Sequence, residues 1–255
     1  MPKKAPLQRE RSTVIYGVHP VVETLRTGKR EIQQLYLGRD LTDVFGIEGL
    51  LDESRFPIVR LSRDEMAGVA RSPHHQGIAA RVGPFPYAEL DDLVSAARDQ
   101  YGLLVMLDGV QDPANVGSIL RSAECLGAYA VVLTRDRSAP VTPAVEKTAS
   151  GASAHVPVAR VVNLVRAIEI VKRVGYWVYA TGSMVGASCY RTDLTGKVAL
   201  VLGSEGKGVR RLVKARADGI VSIPMRGRIA SLSVSQAATV LLSESLRQRL
   251  ERERL

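Results

Sequence analysis

The sequence predicts an α/β fold in two parts, a small α/β unit followed by a larger one on a mostly parallel sheet. Three observations point there. Short runs that are apolar throughout, "LLVML" (103–107), "AVVL" (130–133), "YWVYA" (176–180), "VALVL" (198–202) and "GIVSI" (219–223), recur with helical stretches between most of them. Such runs suit strands covered on both faces. Residues 13–82 hold their own set of strands and a helix, and "GPFPYAEL" (83–90) then interrupts every period with two prolines that resist helix and sheet alike.

In the first unit "VIYG" and "IQQLYLG" read as strands, and "PVVETLRTG" as a helix with Pro20 near its first turn and Gly28 closing it. "PIVRLS" and "GIAARV" complete the unit as strands. The expected division is a flexible basic arm over 1–12, a first domain over 13–82, a linker over 83–96 and a second domain over 97–255. In parallel sheets of this kind, sites gather beyond the carboxyl ends of the strands. Three loops lie there: "DGVQDPANVGSILRSA", "GSEGKG" and "PMRGRIASLSVSQAA".

The composition favours a polyanionic partner. The 255 residues hold 35 Lys and Arg against 26 Asp and Glu, a net charge of +9, and neutralised phosphates release counterions. No stretch reaches the roughly 18 uncharged apolar residues of a membrane span, and the start "MPKKAPLQRERS" has no apolar segment, so a cytoplasmic location is expected. Cys125 and Cys189 form no zinc-type spacing, and His19, His74, His75 and His155 show none either. No metal is expected.

Each loop admits a plain structural reading beside a functional one. From Gly203 to Gly208 the spacing fits neither the dinucleotide fingerprint nor a Walker loop, and Glu205 in its middle would repel a phosphate. The turn is thus either a tight connection or the seat of a ligand that is not anionic there. Asn115 can cap the helix "VGSILRSAECLGA", with Gly127 as its stop. Arg121, six residues on, is not explained by capping. Ser231 can cap a long helix whose stripe is Val234, Ala238, Leu241, Leu242 and Leu246, which leaves Ser233 and Ser235 to bond backbone or face a ligand.

Taken in order, "NVGSILRSA", "LVLGSEGKGV" and "IPMRGRIASLSVSQA" resemble the three motifs of the SpoU/TrmH branch of the SPOUT RNA methyltransferases. "IYGVHPV", "HHQGIAARV" and "VTPAVEKTASGASAHVPVARVVNL" extend the likeness over nearly the whole chain, toward members that methylate a guanosine ribose 2′-hydroxyl in bacterial 23S ribosomal RNA. The resemblance implies a trefoil-knotted methyltransferase domain over 97–255, an L30e-like RNA-binding domain over 13–82, 23S ribosomal RNA as partner and a homodimer. Its cofactor is S-adenosylmethionine, which carries no phosphate and has a cationic sulfonium, so Glu205 is no liability in the glycine turn.

By motif position, Gly203, Ile223 and Leu232 would hold that cofactor through backbone groups and apolar contact, with Thr181 and Met225 nearby. Catalytic roles fall to Arg121, Asn115, Glu205 and Ser233. A guanidinium keeps its proton far above neutral pH, so Arg121 suits stabilising a developing alkoxide better than acting as a base. Glu205 would orient Arg121 or a ribose hydroxyl, and Asn115 would position the substrate. One departure stands out: the family reads S-L-N-V-S, and here Ser233 replaces the Asn, with Gln236 a further oddity. The motifs also fit a transfer-RNA or antibiotic-resistance methyltransferase, and the Ser233 departure leaves open a non-catalytic RNA-binding factor of ribosome assembly.

Overall fold

A computed structural model describes residues 12–39, 48–51, 55–96, 102–182, 186–229 and 231–253. The basic arm expected over 1–12 lies, Ser12 apart, outside the described residues. The chain divides into two compact units between Pro86 and Tyr87.

The first unit carries β1 (Thr13–Tyr16), α1 (Val18–Thr27), β2 (Ile32–Gly38), β3 (Ile58–Leu61), α2 (Arg63–Ala70) and β4 (Ile78–Val82). Its four strands run in the order β1-β4-β2-β3, with β4 antiparallel to both neighbours and β2 parallel to β3. Gly28 ends α1 in the left-handed conformation and returns its N–H to the Thr24 carbonyl, as a helix-closing glycine should. One core packs Val21, Val22 and Leu25 of α1 with Ile15, Leu35, Ile78 and Ala80. A smaller one gathers Tyr36 and Ala79 with Met66 of α2.

The second unit adds α3 (Leu90–Ala96), β5 (Leu103–Asp108), α4 (Pro113–Cys125), β6 (Ala130–Thr134), α5 (Pro143–Ala149), β7 (Val158–Val161) and α6 (Leu164–Arg173). It continues with β8 (Trp177–Thr181), β9 (Ala187–Ser188), β10 (Val198–Gly203), α7 (Arg211–Lys214), β11 (Gly219–Ser222) and α8 (Val234–Arg252). The seven strands lie in the order β7-β6-β5-β10-β8-β11-β9, and every pair is parallel. Central β5 and β10 are buried along their whole length, which is why both read as unbroken apolar runs.

Two strands escape the apolar-run reading. Edge strand β7 has Arg160 in its middle, stacked 5.0 Å from the Tyr87 ring centroid and donating to the Arg135 carbonyl, and β9 is two residues long. The stretch expected as linker is also not all linker. Leu90, Leu93 and Val94 of α3 are buried in the core of the second unit with Leu104, Val132 and Ile168. Proline breaks the chain at 84 and 86, and apolar burial recovers it within four residues.

Three placements prepare the site. The loops after β5, β10 and β11 all leave the carboxyl edge of the sheet. Gly117 lets α4 close on α5: a Cβ there would stand 2.6 Å from Thr148 Cβ and 2.7 Å from the Val145 carbonyl. On another face of α4 lies α8, with Ser122 and Thr239 sharing a 2.8 Å hydroxyl hydrogen bond.

Candidate active site

Gly203 ends β10, and the chain turns back at once, with Gly208 N–H donating to the Ser204 carbonyl at 2.8 Å. Gly206 and Gly208 take φ of 79° and 62°, conformations that side chains disfavour. The turn is anchored on its exit side. Arg210 donates its backbone N–H to Asp108 Oδ2 at 2.8 Å and its Nε to Oδ1 at 2.7 Å, and an Nη completes the ion pair at 2.7 Å. Asp108, at the end of β5, is 1% exposed. A buried carboxylate holding three donors thus clamps the glycine turn to the neighbouring strand.

Removing one partner of a buried ion pair strands the other charge. Arg210→Ala is expected to lower stability by about 1.5–3 kcal/mol, the range for a hydrogen bond to a charged group. Arg210→Lys should restore part of this, since it lacks the two-nitrogen fork. Urea unfolding measures both, and wild-type stability in the alanine variant would show that the clamp carries no load.

Helix α4 does not begin as its sequence suggests. Asp112 is the N-cap, accepting from Ala114 N–H at 2.9 Å, and Pro113 fills the first helical position. Asn115 is therefore free of capping, and its amide faces inward. Its Nδ2 donates to Glu205 Oε1 at 3.0 Å and to Asp112 Oδ2 at 3.2 Å, while its Oδ1 accepts from Ser235 Oγ at 2.7 Å. Two carboxylates on one side and a hydroxyl on the other fix which way the amide points. The three loops meet through this one side chain.

The start of α8 also differs from expectation. Ser233, not Ser231, is the N-cap: its Oγ accepts from Gln236 N–H at 3.3 Å and Gln236 Oε1 accepts from Ser233 N–H at 3.1 Å. The two departures from the motif are thus halves of one capping box. Ser233 Oγ also lies 3.2 Å from Ser235 Oγ, which continues the chain from Asn115.

The glycine turn, the third loop with the start of α8, and the end of β8 enclose a cavity of about 530 Å³ whose lining includes Gly203, Ile223, Leu232, Thr181 and Met225, the five residues expected around the cofactor. Glu205 and Ser233 line it too, and Glu205 is the one charged side chain among its described lining residues. Asn115 and Arg121 are not in the lining. Arg121 is exposed on α4, donates to Ser150 Oγ at 3.3 Å, and has no ion pair among the described residues. The structure brings Asn115, Glu205 and Ser233 into one network and leaves Arg121 outside it.

Sequence reasoning missed Asp108, Asp112 and Arg210, and left Ser235 without a partner that the structure supplies in Asn115. An aspartate closing an apolar strand and a proline just after an aspartate were the available signals. Cys125 and Cys189 both have thiol pKa values pushed up, chiefly by burial, so neither is a thiolate nucleophile at neutral pH. Among the described residues no cluster of His, Cys, Asp and Glu is placed to hold a metal ion. No described helix is long and apolar enough to cross a membrane.

Residues 102–243 match the model of the SpoU rRNA Methylase family, and residues 14–88 match that of RNA 2'-O ribose methyltransferase substrate binding. The chain is 40% identical over 240 residues to the 23S rRNA (guanosine-2'-O-)-methyltransferase RlmB of Pseudomonas syringae pv. tomato, covering 92% of this chain and 95% of that one. To the protein of the same name from Escherichia coli K12 it is 37% identical over 243 residues, covering 93% and 99%. Among solved structures, the SpoU methyltransferase AviRb from Streptomyces viridochromogenes, in complex with the cofactor AdoMet, superposes with a TM-score of 0.79 at 26% identity, covering 94% of this chain and 91% of that one. With a carboxyl-edge cavity, a glycine turn joined to two flanking loops and these likenesses along both units, the chain belongs to the SpoU rRNA methylase family.

Proposed function

We propose that this protein transfers a methyl group from S-adenosylmethionine to the 2′-hydroxyl of a guanosine ribose in 23S ribosomal RNA. The observation that carries the reading is the join of the three loops through Asn115, which bonds Glu205 of a cavity whose described lining has one carboxylate and no cation. That lining fits the cofactor. It offers glycine backbone and apolar surface to an adenosine, and no charge that repels a sulfonium.

Bound there, the cofactor supplies an electrophilic methyl group on sulfur. The remaining work falls to the chain. Glu205 and Ser235 hold the Asn115 amide in one orientation, so its role is to position the ribose and not to move protons. Arg121 stabilises the alkoxide that develops as the 2′-hydroxyl passes its proton to solvent and its oxygen takes the methyl group from sulfur. Ser233 orders the start of α8 against the cavity.

The active form in this reading is a homodimer in the cytoplasm. The position of Arg121, exposed and off the lining of its own cavity, supports an interface at which it serves the cavity of a second copy. The knotted path of the family belongs to the same reading. Its support is the strand order, in which β10 inserts between β5 and β8 and β11 between β8 and β9 before α8 returns to α4.

The test is incubation of the dimer with labelled S-adenosylmethionine and undermodified 23S ribosomal RNA, followed by mapping of the methylated nucleotide. Label on a guanosine ribose is the expected result. No label from a preparation that binds the cofactor overturns the reading, and label only on transfer RNA reassigns the substrate. Since the two units have separate cores, deleting residues 1–82 should spare cofactor binding and weaken RNA binding. Equal RNA affinity after that deletion would refute the division of labour.

A further inference from the structure

The cavity and its rim carry opposite charge. Within the described lining the charged group is Glu205, and the cations sit one step outside. Lys207 lies at the tip of the glycine turn between Gly206 and Gly208, which both line the cavity. Arg226 and Arg228 lie in the third loop, in the segment between lining residues Met225 and Ser231. All three are exposed, and none makes an ion pair with a described residue.

Arg210, at the exit of the glycine turn, is otherwise engaged. Its guanidinium is clamped to Asp108. Three cations spread over two loops, none ion-paired with a described carboxylate, are stabilised by an anion that spans both loops. Beside them Ile229 is 74% exposed, an apolar side chain that suits the face of a sugar or base and not a bare ion.

The geometry points to Lys207, Arg226 and Arg228 as a phosphate-binding rim that seats the RNA backbone across the mouth of the cavity. This inference rests on the RNA methyltransferase reading and adds where the strand lies. Phosphates on the rim leave the intervening ribose over the opening, toward Glu205 of the lining. The cofactor, having no phosphate, takes no part in the contact, so the rim acts on RNA affinity and leaves cofactor affinity alone.

The experiment measures binding of protein-free 23S ribosomal RNA over a series of potassium chloride concentrations. The variants are Lys207→Ala, the double Arg226→Ala/Arg228→Ala, and a control double, Arg166→Ala/Arg173→Ala, which removes the same charge from exposed positions on α6. Each phosphate contact contributes roughly 0.7–0.9 to the slope of log affinity against log salt. The rim double should lower that slope by about 1.4–1.8 and Lys207→Ala by about half as much, with the control near wild type. KM for RNA should rise in the rim double while kcat at saturating RNA stays within about twofold. Calorimetry should give unchanged S-adenosylmethionine affinity.

An unchanged slope in the rim double, an equal fall in the control, or loss of cofactor binding in the rim double overturns the inference. A wild-type protein that binds RNA through the rim but transfers no methyl group upholds the rim and sinks the function reading. Methyl transfer with a rim-independent slope does the reverse.

Discussion

Arg121→Ala is expected to lower kcat on the order of a hundredfold or more, the scale of losing one preorganised donor, with cofactor affinity unchanged. Arg121 stands on the exposed face of α4 with a guanidinium that donates to the Ser150 hydroxyl at 3.3 Å and balances no carboxylate among the described residues. Its charge is therefore available, and its removal leaves no buried group unpaired. The fold should be indifferent to the change. Arg121→Lys keeps a positive charge without the planar fork and should retain part of the activity.

Subunit mixing gives the same residue a sharper test. If Arg121 serves the cavity of a second copy, an Arg121→Ala subunit with a sound cavity regains turnover when paired with a subunit whose cavity is broken but whose Arg121 is intact. Single-turnover assays on mixed dimers read this directly. Normal turnover in Arg121→Ala with loss of cofactor binding would instead move Arg121 into the cofactor pocket.

Gly203→Ala supplies the broken cavity, and a large loss is expected there too. A Cβ on Gly203 would overlap the Gly208 carbonyl group and the Val209 nitrogen, which are backbone atoms on the returning arm of the turn. Neither can swing aside as a side chain would, because Gly208 is bonded to Ser204 and the next residue but one is clamped to Asp108. The turn must open. Overpacking of this kind costs about 1–3 kcal/mol or more, and at about 1.4 kcal/mol per tenfold the upper end is roughly a hundredfold in cofactor affinity. Equilibrium dialysis of the cofactor measures it, and wild-type affinity would show that the turn is not part of the pocket.

Central strands were legible because nothing competes with burial there. β5 and β10 are enclosed on both faces and spell themselves as apolar runs. The edges were not legible, since Arg160 in β7 takes its partners from Tyr87 and Arg135, well away in sequence. The helix starts were legible in principle. Asp112 followed by Pro113 is a stronger start than Asn115, and Ser233 with Gln236 three residues on is a capping box that Ser231 lacks, so the first helix starts earlier and the second later than expected.

The five residues expected around the cofactor by motif position all line one cavity. The clamp between Asp108 and Arg210 was not legible, because the two lie 102 residues apart and no local pattern links them. Ser235 was set aside as a surplus hydroxyl for the same reason: its partner, Asn115, is 120 residues away.

Those separations bear on how the site comes into being. The hydrogen bonds that orient Asn115 close loops of 90 and 120 residues, to Glu205 and to Ser235. Closing such loops costs chain entropy before any contact rewards it, and contacts of this range form late in folding. Helices α1 and α4, built on contacts within a few residues, have no such delay. A refolding chain therefore acquires its helices first, and the oriented amide comes only with the pairing of β5 and β10, which spans a similar range, so catalytic competence returns with the completed sheet.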